Sequence, residues 1–152
     1  MKGSSGRGRA APLTLSRWAA GRQTKRGKEM SYTIEYLESE GIGLITNTGP
    51  FTHEDFMKQA REALEVSQLK KCNKFLVDCT SMIIQSQTID IYATSAFYDE
   101  IGAPKENKIA LVVPAGTKTE ADLRFYETVC INRGWKVRMF ADRESAMQWF
   151  RG

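Results

Sequence analysis

The sequence is short of the residues that most chemistry requires. Its 152 residues include one histidine, His53, and three cysteines, Cys72, Cys79 and Cys130. Three is an odd number for a disulfide framework, and the spacing matches neither a zinc site nor a C-x-x-C redox pair. The cysteines therefore read as small hydrophobes, which fits a reducing cytoplasm. No glycine-rich phosphate loop is present, and no nucleophile, base and orienting acid stand at a recognisable spacing. Gly41-Ile42-Gly43 is only a fragment of a dinucleotide fingerprint and lies between two strand patterns rather than before a helix. His53 sits at a helix start with no evident orienting partner, so it reads as a surface residue rather than a general base. No apolar run reaches the roughly 18 residues of a bilayer-spanning helix; the stretch Ile109 to Val113 has strand length. These absences leave no catalytic residue, metal site or cofactor to assign.

The charge is unevenly placed. Residues 1 to 29 carry eight basic side chains and one acid, Glu29. Taking these from the chain's 22 basic and 18 acidic residues leaves 14 and 17, a net of −3 for the remainder. Binding to nucleic acid, which depends on neutralising phosphates, is thus expected only through this basic segment. Rich in Gly, Ser, Ala and Arg, it offers only Leu13, Leu15 and Trp18 as sizeable apolar groups, so it is expected to be a disordered tail. An anionic-surface arm and a transit peptide are two readings of it. A third is that translation starts at Met30, the purine-rich stretch behind Arg26 to Glu29 acting as a ribosome-binding site.

What is present is an order of elements. Tyr32 to Leu37 alternates as a strand, turns at Ser39-Glu40-Gly41, and continues as Ile42 to Thr48, a hairpin. Gly49-Pro50 is expected to end that strand, and Thr52 to cap a helix with Glu54 and Asp55 in its first turn. Phe56, Ala60, Ala63 and Leu64 trace its inner face. Lys74 to Cys79 is a strand of the kind buried on both faces. Ile89, Tyr92, Ala93, Ala96 and Phe97 mark a second helix, Ile109 to Val113 a fourth strand, Thr119 onward a third helix, Lys136 to Phe140 a fifth strand, and Asp142 the cap of a last helix. Helix-linked strands are parallel with right-handed crossovers. The fold class is therefore α/β, with a single mixed five-stranded sheet (an N-terminal hairpin plus parallel strands) and about four helices on both faces, spanning residues 30 to 152 as one domain.

This order resembles the STAS-like, SpoIIAA-like superfamily of bacterial proteins, the fold of anti-sigma-factor antagonists and, more distantly, of CRAL-TRIO lipid-binding domains. The resemblance covers Ser31 to Arg151. It rests on the opening SYTIEYLESEGIGLITNTGPFTHEDF, the strand FLVDCT, the segment TIDIYATSAFYDEIG, the strand KIALVVP and the stretch DLRFYETVCINRGWKVRMFADRESAMQWF. The antagonists carry a phosphorylatable serine in an Asp-Ser-Ser-Gly-like motif at the helix after the central strand. The equivalent stretch here, Gln85-Ser86-Gln87-Thr88-Ile89-Asp90, lacks the Gly and the Ser-Ser pair. Ser86 and Thr88 are hydroxyls near that place and are the phosphorylation candidates, though both are also natural helix caps.

The resemblance implies a non-enzymatic regulatory or interaction module whose partner is another protein or a second copy of the chain. A second reading, from the apolar run Met82-Ile83-Ile84 near Tyr92, is a domain for a small apolar molecule or lipid, associated with a membrane interface. An enzyme built on Asp78, Asp90, Glu120, Arg124 and Tyr126 is a third. Ligands of such sheets sit beyond the carboxyl ends of the strands. The recognition surface is therefore expected on a loop from Thr80 to Thr88, with Thr80, Ser81, Met82, Ile84, Ser86, Thr88 and Tyr92 as candidates. Lys118 and Thr119, at the start of the third helix, are the other candidates, for an anion. Met82 and Ile84 could instead be core. A chain beginning at Met30 is expected to keep the melting temperature of the whole; a fall of more than about 5 °C, on the order of 1 kcal/mol, would show that the tail docks.

Overall fold

The computed structural model describes residues 32–85 and 88–152, with only the helical backbone for Thr88 and Ile89. The expectations for the basic tail and for Ser86 lie outside the described residues. Strands β1 (Tyr32–Leu37) and β2 (Ile42–Phe51) form an antiparallel hairpin, in register from Tyr32 opposite Asn47 to Leu37 opposite Ile42. Gly41 closes its turn with φ 69°, donating its N–H to the Leu37 carbonyl at 2.8 Å. That positive φ suits glycine, which has no Cβ to clash.

Strands β3 (Lys74–Ile84), β4 (Lys108–Val112) and β5 (Lys136–Phe140) follow, each parallel to its predecessor, so the sheet order is β1-β2-β3-β4-β5. Between them run α1 (His53–Lys70), α2 (Thr88–Glu100) and α3 (Lys118–Asn132), and α4 (Arg143–Arg151) closes the chain. Parallel strands laid down in sequence order, with crossovers of one hand, put every crossover helix on one face. The core divides accordingly. Ala60 and Val66 of α1, Ile91 and Phe97 of α2, and Leu123 and Cys130 of α3 share one large apolar cluster. Ala146 and Phe150 of α4 cover Ile42, Leu76, Ala110 and Val112 on the opposite face. Helices lie on both faces as expected, three against one.

Local signals act as the sequence suggests at several joints. The Thr52 hydroxyl accepts from Asp55 N–H at 3.1 Å while the Asp55 carboxylate accepts from Thr52 N–H at 3.0 Å, a reciprocal capping box. Asp142 accepts from Ser145 N–H at 2.7 Å to start α4. The helix expected from Thr119 begins a residue earlier, at Lys118, and is capped by Thr117.

Two boundaries differ. Gly49-Pro50 does not end β2, which continues to Phe51. Among the described residues pairing with β1 stops at Asn47, opposite Tyr32, so Pro50 interrupts no described hydrogen bond to β1. In the same way β3 does not become a loop at Thr80 but pairs with β2 as far as Ile84.

Gly43 shows why a fragment of Gly-x-Gly occurs here without a nucleotide. A Cβ placed on it would lie 2.6 Å from the Phe75 ring, so the ring packs on bare backbone. Gly43→Ala is expected to cost about 1–3 kcal/mol in urea unfolding, as overpacking of a core does, and Phe75→Leu in the same chain should recover part of it. An unchanged midpoint in the single variant would contradict this packing.

Candidate functional site: a cavity beneath the second crossover helix

The crossover helices are not seated alike. α1 lies against β1 and β2, and α3 against β3 and β5, whereas α2 packs chiefly on α1 and α3. A helix carried by its neighbours leaves space below it. A cavity of about 120 Å³ lies there, walled by the sheet and all three helices. Its wall is mostly aliphatic and aromatic, which is the usual makeup of a small-molecule site.

Four rings brace one side of it. Phe56 meets Tyr98 and Tyr126 edge-on at 5.5 and 6.2 Å, and Tyr98 meets Trp135 at 5.2 Å. The Tyr98 and Tyr126 hydroxyls share a hydrogen bond. Burial pushes both phenols above their ordinary range, so both are neutral at physiological pH. Trp135 Nε1 is fully buried without a hydrogen-bond partner, and Lys105 Nζ stands 4.3 Å from the centre of its ring.

A second polar group lies on the α1 side. Gln59 Nε2 donates to Asn47 Oδ1 at 2.6 Å, both residues being buried and lining the cavity. Asn47 Nδ2 in turn points at Cys79 Sγ, 4.0 Å away. Thr94 of α2 also lines the cavity; its hydroxyl donates to the Asp90 carbonyl at 2.8 Å and lies 3.4 Å from His53 Nδ1. His53 is therefore half-buried and joins the start of α1 to α2, rather than the plain surface residue expected.

The candidates from the sequence fall into separate places. Between Asp78 and Ser81, β3 carries one residue more than β2 does between Thr46 and Thr48, a β-bulge. The extra residue changes which side chains face inward. Phe75, Val77 and Cys79 point to the cavity side, and beyond the bulge so do Met82 and Ile84. Met82 is buried core and Ile84 is partly buried, so the core alternative describes them, and both line the cavity. Ile83, between them, is 56 % exposed.

Thr80 and Ser81 are exposed, and Thr80 donates from its N–H and hydroxyl to Asp78 Oδ1 at 3.0 and 2.7 Å. Tyr92 is exposed and rests edge-on against Phe125 at 5.5 Å. Thr119 is buried and donates to the Met82 carbonyl at 3.0 Å, tying α3 to the end of β3. Lys118 pairs with Asp122 at 2.7 Å. The N–H of Gly116 is already taken by the Glu120 carboxylate, at 2.8 Å, and so is not open to an anion. Thr88 starts α2, and its side chain lies outside the described residues.

The residues weighed for an enzyme do not converge. Asp78 faces α4, where Arg143 approaches to 3.9 Å, while Glu120 pairs with Arg124 on the exposed side of α3 and Tyr126 is in the core. Among the described residues no three His, Cys, Asp or Glu side chains group as metal ligands, and no helix is long and apolar enough to cross a membrane.

The sequence reading passed over Asn47, Gln59 and Thr94. The signal was there for two of them. Gln59 interrupts the apolar stripe Phe56, Ala60, Ala63 at i+3, and Asn47 follows Ile45 by two on the inward face of β2. A polar residue at a core position needs a partner or a ligand.

The architecture is a SpoIIAA-like fold. Among solved structures, the chain is similar to an uncharacterised protein of the DUF3478 family with a SpoIIAA-like fold from Shewanella loihica PV-4. The TM-score is 0.54 at 21 % identity, over 82 % of this chain and 98 % of that one. It is also similar to the anti-sigma factor antagonist SpoIIAA in its unphosphorylated form, with TM-score 0.45 and 11 % identity over 80 % of this chain and 98 % of that one. No family model and no curated protein sequence matches the chain.

The cysteines carry their own expectation. All three are free and buried, and burial pushes the thiols of Cys79 and Cys130 up to about 12 and raises that of Cys72. A protonated, covered thiol is a poor nucleophile. The native protein at pH 8 is therefore expected to resist a thiol-disulfide reagent and to react at all three positions once denatured; fast labelling of the native chain would show that Cys79 is reached through the cavity.

Proposed function

We propose that the chain is a non-enzymatic STAS-like module that holds a small apolar molecule beneath α2. The observation that carries this reading is the cavity itself: about 120 Å³, walled by apolar side chains, with a few polar groups at fixed points. Well-packed interiors leave few spaces larger than a water molecule, and this one is partly open to solvent, which gives a small molecule a way in. Met82 and Ile84 take part as wall, not as an exposed patch.

Toluene serves as a test. Binding to the folded state alone raises stability by RT ln(1 + [L]/Kd), about 2.7 kcal/mol at a hundredfold excess over Kd. Toluene is expected to raise the melting temperature of the native chain, and Ala60→Leu, which extends a side chain from α1 into the space, is expected to abolish the response while leaving the ligand-free chain folded. Ala63→Leu is an independent filling. The reading is lost if the native chain does not respond, or if both filled variants respond as it does.

Partner binding is the second reading, favoured by a different observation. Ile83 and Tyr92 are each more than half exposed, with Phe125 beside Tyr92. Large exposed apolar groups suit a protein contact, Tyr92 with Phe125 on the helix side and Ile83 on the other face of the sheet. Ile83→Ser with Tyr92→Ser is expected to weaken association with a protein partner or with a second copy, read by sedimentation, without changing toluene uptake.

A further inference from the structure

The cavity wall also limits which apolar molecules suit it. Its volume is of the same order as the roughly 150 Å³ apolar cavity known to take up benzene in another protein. That admits a single ring. No Lys, Arg or His is among the residues lining it, and its one carboxylate, Asp122, is held by Lys118. A carboxylate or phosphate brought inside would have no cation to meet and would forfeit its hydration.

Among the polar groups on the wall, Gln59 carries an acceptor with a bond to spare. Gln59 spends Nε2 on Asn47, and among the described residues no hydrogen bond reaches its carbonyl oxygen. The only side-chain polar atoms there that are fully buried without a partner are Lys70 Nζ and Trp135 Nε1, so Gln59 Oε1 keeps some accessible surface. Gln59 as a whole is only 7 % exposed and lines the cavity. An acceptor on a side chain that lines an apolar space and is held in place by the Asn47 bond suits a ligand that brings one O–H or N–H.

Building on the cavity reading, we propose that the ligand is an uncharged, single-ring molecule with one hydrogen-bond donor, of the phenol class, whose donor bonds Gln59 Oε1 while the ring lies among Phe56, Tyr98 and Tyr126. The probes are phenol, toluene, benzoate and octanoate, titrated by calorimetry at neutral pH against the full chain and against Gln59→Met, which keeps length and removes the amide. Phenol is expected to bind the native chain and to lose five- to tenfold or more in affinity in Gln59→Met, toluene to hold or gain, and the two anions to bind far more weakly than phenol. An equal loss for phenol and toluene overturns the role of Gln59, and benzoate or octanoate binding as tightly as phenol overturns the neutral-ligand assignment; in both cases the cavity reading stands. Failure of toluene and phenol alike removes the cavity reading together with this one. A measurement on the native chain needs no variant: the nitrogen-15 shift of the Gln59 side-chain amide should move with phenol and not with toluene, and movement with both alike would again overturn the assignment.

Discussion

The constraint on which the rest depends is the hand of the crossovers. Four strands run parallel in sequence order, so the three helices that join them share one face of the sheet. Three helices side by side are wider than the strands beneath them can seat equally. α1 and α3 take the strands, and α2 is carried between them. The space below α2 follows from that arrangement, before any side chain is chosen.

Side chains then decide what the space is. Aromatic rings from α1, α2 and α3 brace one side, their edges meeting faces at 5.2 to 6.2 Å. Edge-to-face pairs of this kind add about 0.5–1.5 kcal/mol beyond burial, which helps to hold α2 without a strand under it. The Asn47–Gln59 pair lies on the α1 side. Buried amides are costly alone and tolerable when paired, and pairing here uses one of Gln59's groups and leaves another. The opposite face shows the contrasting solution. There small residues, Ala110 on β4 and Ala146 on α4, are fully buried, and α4 comes down onto its strands.

The element order was legible because it depends on short-range patterns: the alternation of Tyr32, Ile34 and Tyr36, the Thr52 and Asp142 caps, the continuous apolar run of β3. The cavity was not, because a void is a property of how elements sit on each other. Asn47 and Gln59 were visible as polar residues at inward positions, but a loop full of hydroxyls drew attention away from them. Thr80 to Ile84, expected as part of a loop reaching Thr88, instead continue β3 beside the stretch of β2 that runs through Gly49-Pro50. Whether a proline breaks a strand depends on whether a neighbour needs its N–H, and among the described residues β1 pairs no further than Asn47. Thr119 illustrates the same limit. A threonine at a helix start reads as a cap, while here its hydroxyl reaches across to Met82.

The bulge between Asp78 and Ser81 gives chain length a meaning here that composition does not have. In a strand, removing one residue turns every later side chain over. At the bulge the opposite holds: Asp78 to Ser81 spans one residue more than Thr46 to Thr48, so loss of the extra residue would make the pairing regular and leave Met82 and Ile84 facing the cavity. Relatives that differ only by a gap at this position would therefore keep the same inward wall. Comparing them residue by residue, without regard to the gap, would pair side chains that face opposite sides of the sheet.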